Sequence, residues 1–115
     1  MNNRAAKSAT FVGSSLDDLR DFPKSARRET GFQLDKVQNG EDADDWKPMP
    51  TVGNGVHEIR VRDESGAFRL MYVAKFPEAV YVLHAFQKKT RATARGDLAL
   101  AKDRYREVLT RRRSL

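Results

Sequence analysis

Between Val56 and Lys88, apolar and polar positions alternate with the period of two that an extended chain produces. In Val56-His57-Glu58-Ile59-Arg60-Val61-Arg62, the residues His57, Ile59 and Val61 fall on one side, and Glu58, Arg60 and Arg62 on the other. Asp63-Glu64-Ser65-Gly66 supplies turn chemistry. A second strand is expected from Ala67 to Lys75, with Phe68, Leu70 and Tyr72 opposing Arg69, Met71 and Val73. Pro77-Glu78 turns the chain again. Val80 to Lys88 follows as a third strand, apolar on both sides for most of its length, which predicts a central place in the sheet. Three consecutive strands with short connections predict an antiparallel meander.

Helical spacing brackets this region. Ala9-Thr10-Phe11-Val12 predicts a short strand ending at Gly13, after a polar stretch that is frayed or extended. Ser14-Ser15 offers N-caps, with Asp17 and Asp18 in the first turn, where the helix dipole favours carboxylates. Pro23 interrupts and restarts that helix. A longer one follows to about Gln38, with Ala26, Thr30, Leu34 and Val37 along one face and Asn39-Gly40 as its stop. The two helices are read as an antiparallel pair. Gly31, inside the second, points to close packing against the sheet, because glycine otherwise costs a helix about 1 kcal/mol relative to alanine. Residues 41–55 read as a loop: an acidic cluster, then Trp46-Lys47-Pro48-Met49-Pro50, whose prolines argue against a regular ladder. Trp46 is read as a cover over the core edge. The last helix runs from about Ala94 to Arg112, capped by Thr93, with Asp97 in its first turn. Its apolar stripe is Ala94, Leu98, Ala101, Tyr105 and Val108, and Arg95, Lys102, Arg106 and Arg113 lie opposite.

Composition narrows the chemistry. At 115 residues the chain is one domain, 1–115, with room for a single sheet-and-helix core. It has no cysteine, so thiol nucleophiles, disulfides and thiolate zinc are excluded; two histidines make an imidazole-rich metal site unlikely, and no metal or cofactor is expected. No apolar run is long enough to span a bilayer and the N-terminus lacks a signal-peptide core, so a soluble, cytoplasmic protein is expected. Net charge is +6 and unevenly spread. Residues 84–115 carry ten Lys/Arg against three Asp/Glu, whereas residues 1–83 carry twelve against thirteen. A basic third on a nearly neutral body suits a polyanion partner.

Three stretches in order carry a resemblance: Val56-His57-Glu58-Ile59-Arg60, then Gly66-Ala67-Phe68-Arg69-Leu70-Met71-Tyr72, then Leu83-His84-Ala85-Phe86-Gln87-Lys88-Lys89-Thr90. With Ala101-Lys102-Asp103-Arg104-Tyr105 after them, they resemble the phage-derived, HigB-type branch of the RelE/ParE toxin superfamily. The similarity runs from about Trp46 to Tyr105. Ala94 departs from it, since family members often place a proline there to start the last helix. The resemblance implies an α+β, RelE-like fold with two N-terminal helices, an antiparallel sheet of three to four strands and a C-terminal helix. It further implies a type II toxin that cleaves mRNA on the ribosome, contacts ribosomal RNA, and is neutralised by a helix-turn-helix antitoxin encoded in the same operon.

The residues themselves suit metal-independent RNA cleavage. A 2′-hydroxyl attacks the adjacent phosphate while the protein moves protons and neutralises developing charge. Arg60 and Arg69 are the candidates to clamp the phosphate through bidentate guanidinium contacts, although each could instead pair with Glu58 or Glu64 across strands. His84 is the candidate general acid or base, or else a half-buried histidine donating to a backbone carbonyl. Lys88 and Lys89 stand at the strand end on opposite faces, so one of them can stabilise the transition state or act as acid. Lys47, Arg62, Arg91, Arg95 and Arg106 are candidate RNA-backbone contacts, and Phe86 a base-stacking ring or plain core. His57 and Tyr105 are read as structural. Two other functions remain open at this point: a toxin that poisons a non-RNA target, as ParE relatives do, and a non-catalytic RNA-binding module.

Overall fold

The computed structural model describes residues 6–115. Their order is β1 (Ala9–Phe11), α1 (Ser15–Arg20), α2 (Lys24–Gln38), β2 (Trp46–Pro48), β3 (Val56–Asp63), β4 (Gly66–Val73), β5 (Val80–Lys88) and α3 (Arg95–Arg112). One five-stranded sheet runs β1-β5-β4-β3-β2. The meander β3-β4-β5 is antiparallel, as the period of two predicts, and β1 joins β5 in parallel.

The sheet is wider than the three to four strands expected. Residues 46–48, read as loop, pair antiparallel with β3, Trp46 opposite Ile59 and Pro48 opposite His57. An edge strand tolerates proline because only one side of it must donate to a ladder. Trp46 stacks on His57 at 4.5 Å between ring centres and packs against the core, the covering role expected of it. The expectation for β5 also needs correction. β4 is the central strand, and β5 is interior only over Val80–Val82, where β1 pairs with it. The apolar character of β5 on both sides comes from its two covered faces.

Each face of the sheet carries its own helices. Ile59, Val61, Phe68, Leu70 and Tyr72 meet Leu19, Phe22, Ala26, Leu34 and Val37 of the α1–α2 layer. Met71, Val73, Tyr81 and Leu83 meet Ala101, Tyr105 and Val108 of α3. Two local expectations fail. A side chain at Gly31 would meet nothing, so this glycine does not mark close packing. Ala94, not Thr93, is the residue before α3, and no side chain caps the helix. The polar start of the chain is extended and pinned where it is described. Lys7 Nζ donates to the carbonyls of Ala74 and Phe76 at 2.6 and 2.9 Å, and the Lys7 amide to Gln38 O at 2.9 Å. Residues 1–5, part of the stretch read as frayed or extended, lie outside the described residues.

The C-terminal end of α3 is held by Arg112. It pairs with Glu78 at 2.6 Å and lies 3.8 Å over the Phe76 ring. The Arg112 hydrogen bond pulls the Glu78 carboxyl from 4.5 down to about 2. A depressed carboxyl stabilises the fold above its unfolded value and loses that effect as pH falls through its folded one. The difference in melting temperature between wild type and Glu78→Gln is therefore expected to be present at neutral pH and to vanish between about 4.5 and 2, read from thermal melts across that range.

Candidate active site on the sheet face beside α3

The strand register sets the site. Glu58, Met71 and His84 form one cross-strand row, with Lys47 of β2 opposite Glu58. Arg60, Arg69 and Phe86 form the next, and Arg62, Ala67 and Lys88 the third. All these side chains share the face that α3 covers in part. Directly opposed residues have Cβ atoms about 5 Å apart and diagonal ones about 7–8 Å, so neighbouring members of adjacent rows can reach one phosphate.

A bulge in β5 aims the imidazole. Pairing slips between Met71, opposite His84, and Tyr72, opposite Val82, leaving Leu83 as the extra residue. Leu83 and His84 consequently both point toward α3, Leu83 into its apolar cluster and His84 toward Asp97. Bulges commonly redirect a side chain next to a functional site. The Leu83 carbonyl accepts from Arg104 Nη1 at 2.9 Å, and Nη2 of the same guanidinium donates to Ser14 Oγ at 2.9 Å. Arg104 thus ties α3 to the bulge and to the start of α1.

Much of this polar cluster is withdrawn from solvent. Glu58 is 1% exposed and Arg69 4%. They form an ion pair, Nε to Oε1 3.4 Å, and Arg69 also donates to the Phe68 carbonyl at 3.1 Å. Burial pushes the Glu58 carboxyl up from the ordinary range, against the pull of Arg69, Lys47, Arg60 and Lys88. Burial likewise lowers Arg69, against the pull of Glu58. Both shifts have the sign of a pair whose desolvation outweighs its attraction. Glu58 Oε2 and His84 Nδ1 are buried without a partner among the described residues, and such orphaned groups mark strain or function. Phe86 stacks on His84, ring centres 4.8 Å apart, and is 8% exposed, so its ring is part of the floor.

The remaining candidates lie around that floor. Lys88 is half-buried, donates to the Arg91 carbonyl, and lines a cavity of about 220 Å³ together with Phe86, Lys89, Thr90 and Asp97. Arg60 is half-buried; Lys47, Arg62, Lys89, Arg91, Arg95 and Arg106 are exposed. Arg106 pairs with Asp103 along α3 at 3.0 Å. A larger cavity, about 600 Å³, opens on the opposite face beside His57 and Tyr72. The cationic rows are absent from it, and burial pushes the Tyr72 hydroxyl there up to about 12.

Residue-by-residue reading of the sequence missed three participants. Glu58 enters the sequence reading only as a cross-strand partner for Arg60 or Arg69, a pairing the structure shows for Arg69, Asp97 only as a first-turn carboxylate, and Arg104 only as part of a resembling motif. Parity could have promoted Glu58, since it shares a strand face with Arg60 and Arg62. Among the described residues, no group of three or more His, Asp or Glu side chains is placed to hold a metal ion, and no helix is long and apolar enough to cross a membrane.

Comparison with known proteins bears on the fold and the family. The free-state structure of a doubly substituted toxin RelE from E. coli is similar to this chain, with a TM-score of 0.60 and 16% sequence identity over 90% of this chain and 99% of that one. Identity this low speaks for the fold, which is RelE-like. Among curated proteins no match is found. The family described as "Phage derived protein Gp49-like (DUF891)" matches residues 17–106, more than three quarters of the sequence and every strand that builds the site. The chain belongs to this Gp49-like, phage-derived family.

Proposed function

We propose that this protein is the toxin of a type II toxin–antitoxin pair, a HigB-type endoribonuclease acting in the cytoplasm on mRNA held by the ribosome. The observation that carries the reading is the three-row register. It puts an imidazole, a buried carboxylate and five cations in three adjacent rows of one sheet face. A polyanion is the ligand such a face suits, and phosphodiester cleavage is the reaction it can assist.

The chemistry follows from the arrangement. Arg69 is preorganised by its bonds to Glu58 and the Phe68 carbonyl, and with Arg60 beside it forms a guanidinium pair for the non-bridging phosphate oxygens. Fixed donors in a site that excludes water stabilise developing charge more than mobile ones do. Lys88 and Lys89 add positive charge at the end of β5, and proton transfer takes place at the His84 end of the cluster. Because the nucleophile is the RNA's own 2′-hydroxyl, neither a metal nor a covalent intermediate enters. Lys47, Arg62, Arg91, Arg95 and Arg106 hold the backbone of message and ribosomal RNA by charge, without reading bases. The partner that silences the toxin is a helix-turn-helix antitoxin from the same operon.

Induced expression of the chain tests this reading. Growth is expected to stop, cellular messages to be cut, and co-expression of the neighbouring gene to relieve both. Arrest with every transcript intact contradicts the nuclease function and favours a protein target.

A further inference from the structure

Resting on the nuclease reading above, we infer that Asp97 is a catalytic residue of this site, the group that takes the 2′-hydroxyl proton, and that His84 is the positioning residue behind it. His84 is 5% exposed. Its Nε2 lies 2.7 Å from Asp97 Oδ1, and its Nδ1 is buried without a partner among the described residues. One nitrogen of this imidazole is thus engaged by Asp97 and the other is withdrawn from solvent. The Asp97 side chain is 29% exposed, so the carboxylate is the half of the pair that meets solvent. It also lines the 220 Å³ cavity with Lys88, Lys89 and Phe86. Asp97, Lys88 and Lys89 therefore line one small cavity, of which His84 is not a lining residue.

Each neighbour then has a physical task. His84 engages Oδ1 and thereby orients the carboxylate, leaving Oδ2 for the substrate. Phe86, stacked on His84, holds the plane of the ring. Such an outer partner fixes the geometry of the group that reacts. In the reaction the 2′-O–H bond breaks as its proton passes to Asp97 Oδ2, and the electron pair left on the 2′ oxygen forms the new bond to phosphorus. The bond from phosphorus to the 5′ oxygen breaks, and that oxygen leaves with its electron pair and takes a proton from the Lys88 ammonium. The products are a 2′,3′-cyclic phosphate and a 5′-hydroxyl. Water then removes the proton from Asp97 and returns one to Lys88, so no further reactant is needed.

The test uses the full chain, ribosomes carrying a defined message, and the same message blocked by a 2′-O-methyl group at the cut position. Asp97→Asn is expected to lower kcat by about 10²–10⁴-fold, the usual contribution of a positioned acid or base, with KM and binding of the blocked message unchanged or tighter. Asp97→Glu is expected to recover part of the rate. If Asp97→Asn cuts at the wild-type rate, the assignment is overturned. It is equally overturned if blocked-message binding or melting temperature falls in step with cleavage, since that is the mark of a merely structural residue. A wild type that leaves the message intact overturns the nuclease reading and this assignment together, whereas a cutting wild type beside a cutting Asp97→Asn overturns this assignment alone.

Discussion

Arg69→Ala is expected to slow RNA cleavage by about 10²–10³-fold in kcat, the usual cost of removing one fixed donor from a charge-stabilising site. The same change breaks a buried ion pair, Arg69 being 4% and Glu58 1% exposed. It leaves Glu58 without its partner, which typically costs 3–5 kcal/mol, roughly, and can unfold a small domain by itself. Two further variants separate the effects. Arg69→Lys keeps a positive charge beside Glu58 but loses the planar fork, so cleavage is expected to fall while the urea midpoint stays close to wild type. The double change Glu58→Gln with Arg69→Met removes both charges, and is expected to restore stability without restoring cleavage. Parallel recovery of stability and cleavage in the double variant would mean that Arg69 serves the fold alone.

Arg104→Met is expected to give a large loss of stability without touching RNA. The substitution keeps a long side chain but removes the donors that reach the Leu83 carbonyl and Ser14 Oγ, each at 2.9 Å. Leaving the bulge carbonyl unsatisfied and losing a charged hydrogen bond together cost about 3 kcal/mol. For a domain of this size that corresponds to a drop of roughly 10–20 °C in melting temperature. Gly13 supports the same tie from the other side. Its φ is +58°, and a Cβ there would sit 2.7 Å from Arg104 Nε. Because the bulge also aims His84, the variant is expected to cleave slowly even where it remains folded. Full activity with a lowered melting temperature would show that the bulge does not depend on Arg104.

These residues also show what the sequence could and could not reveal. The meander was legible because each strand alternates, and a wrong register would have turned Ile59, Val61, Phe68 and Leu70 outward. Parity groups Glu58 with Arg60, and His84 with Phe86 and Lys88, each within its own strand; that these sets and Arg69 share one face comes from the register. The bulge at Leu83 was not legible. Strict alternation places Leu83 and His84 on opposite sides, and only pairing with Met71 and Tyr72 reveals the extra residue. β2 was hidden by Pro48 and Pro50, since an edge strand lacks the period and length that identify interior ones. The burial of Arg69 was likewise out of reach, because a charged residue in a strand looks solvent-facing until its partner Glu58 is located. Asp97 escaped for a related reason: a carboxylate in a first helical turn already has a dipole explanation, and nothing local says that His84 lies opposite.

The account stands on one claim, that the cations and proton-transfer groups of this face act together on a single phosphodiester. The direct measurement is the chemical identity of the new RNA ends in messages recovered after induction. Attack by the 2′-hydroxyl predicts 5′-hydroxyl ends paired with 2′,3′-cyclic or 3′-phosphate ends, present with the wild type and missing with Arg69→Lys. Ends carrying a 5′-phosphate and a 3′-hydroxyl, or an equal yield of cut ends from both proteins, would contradict it.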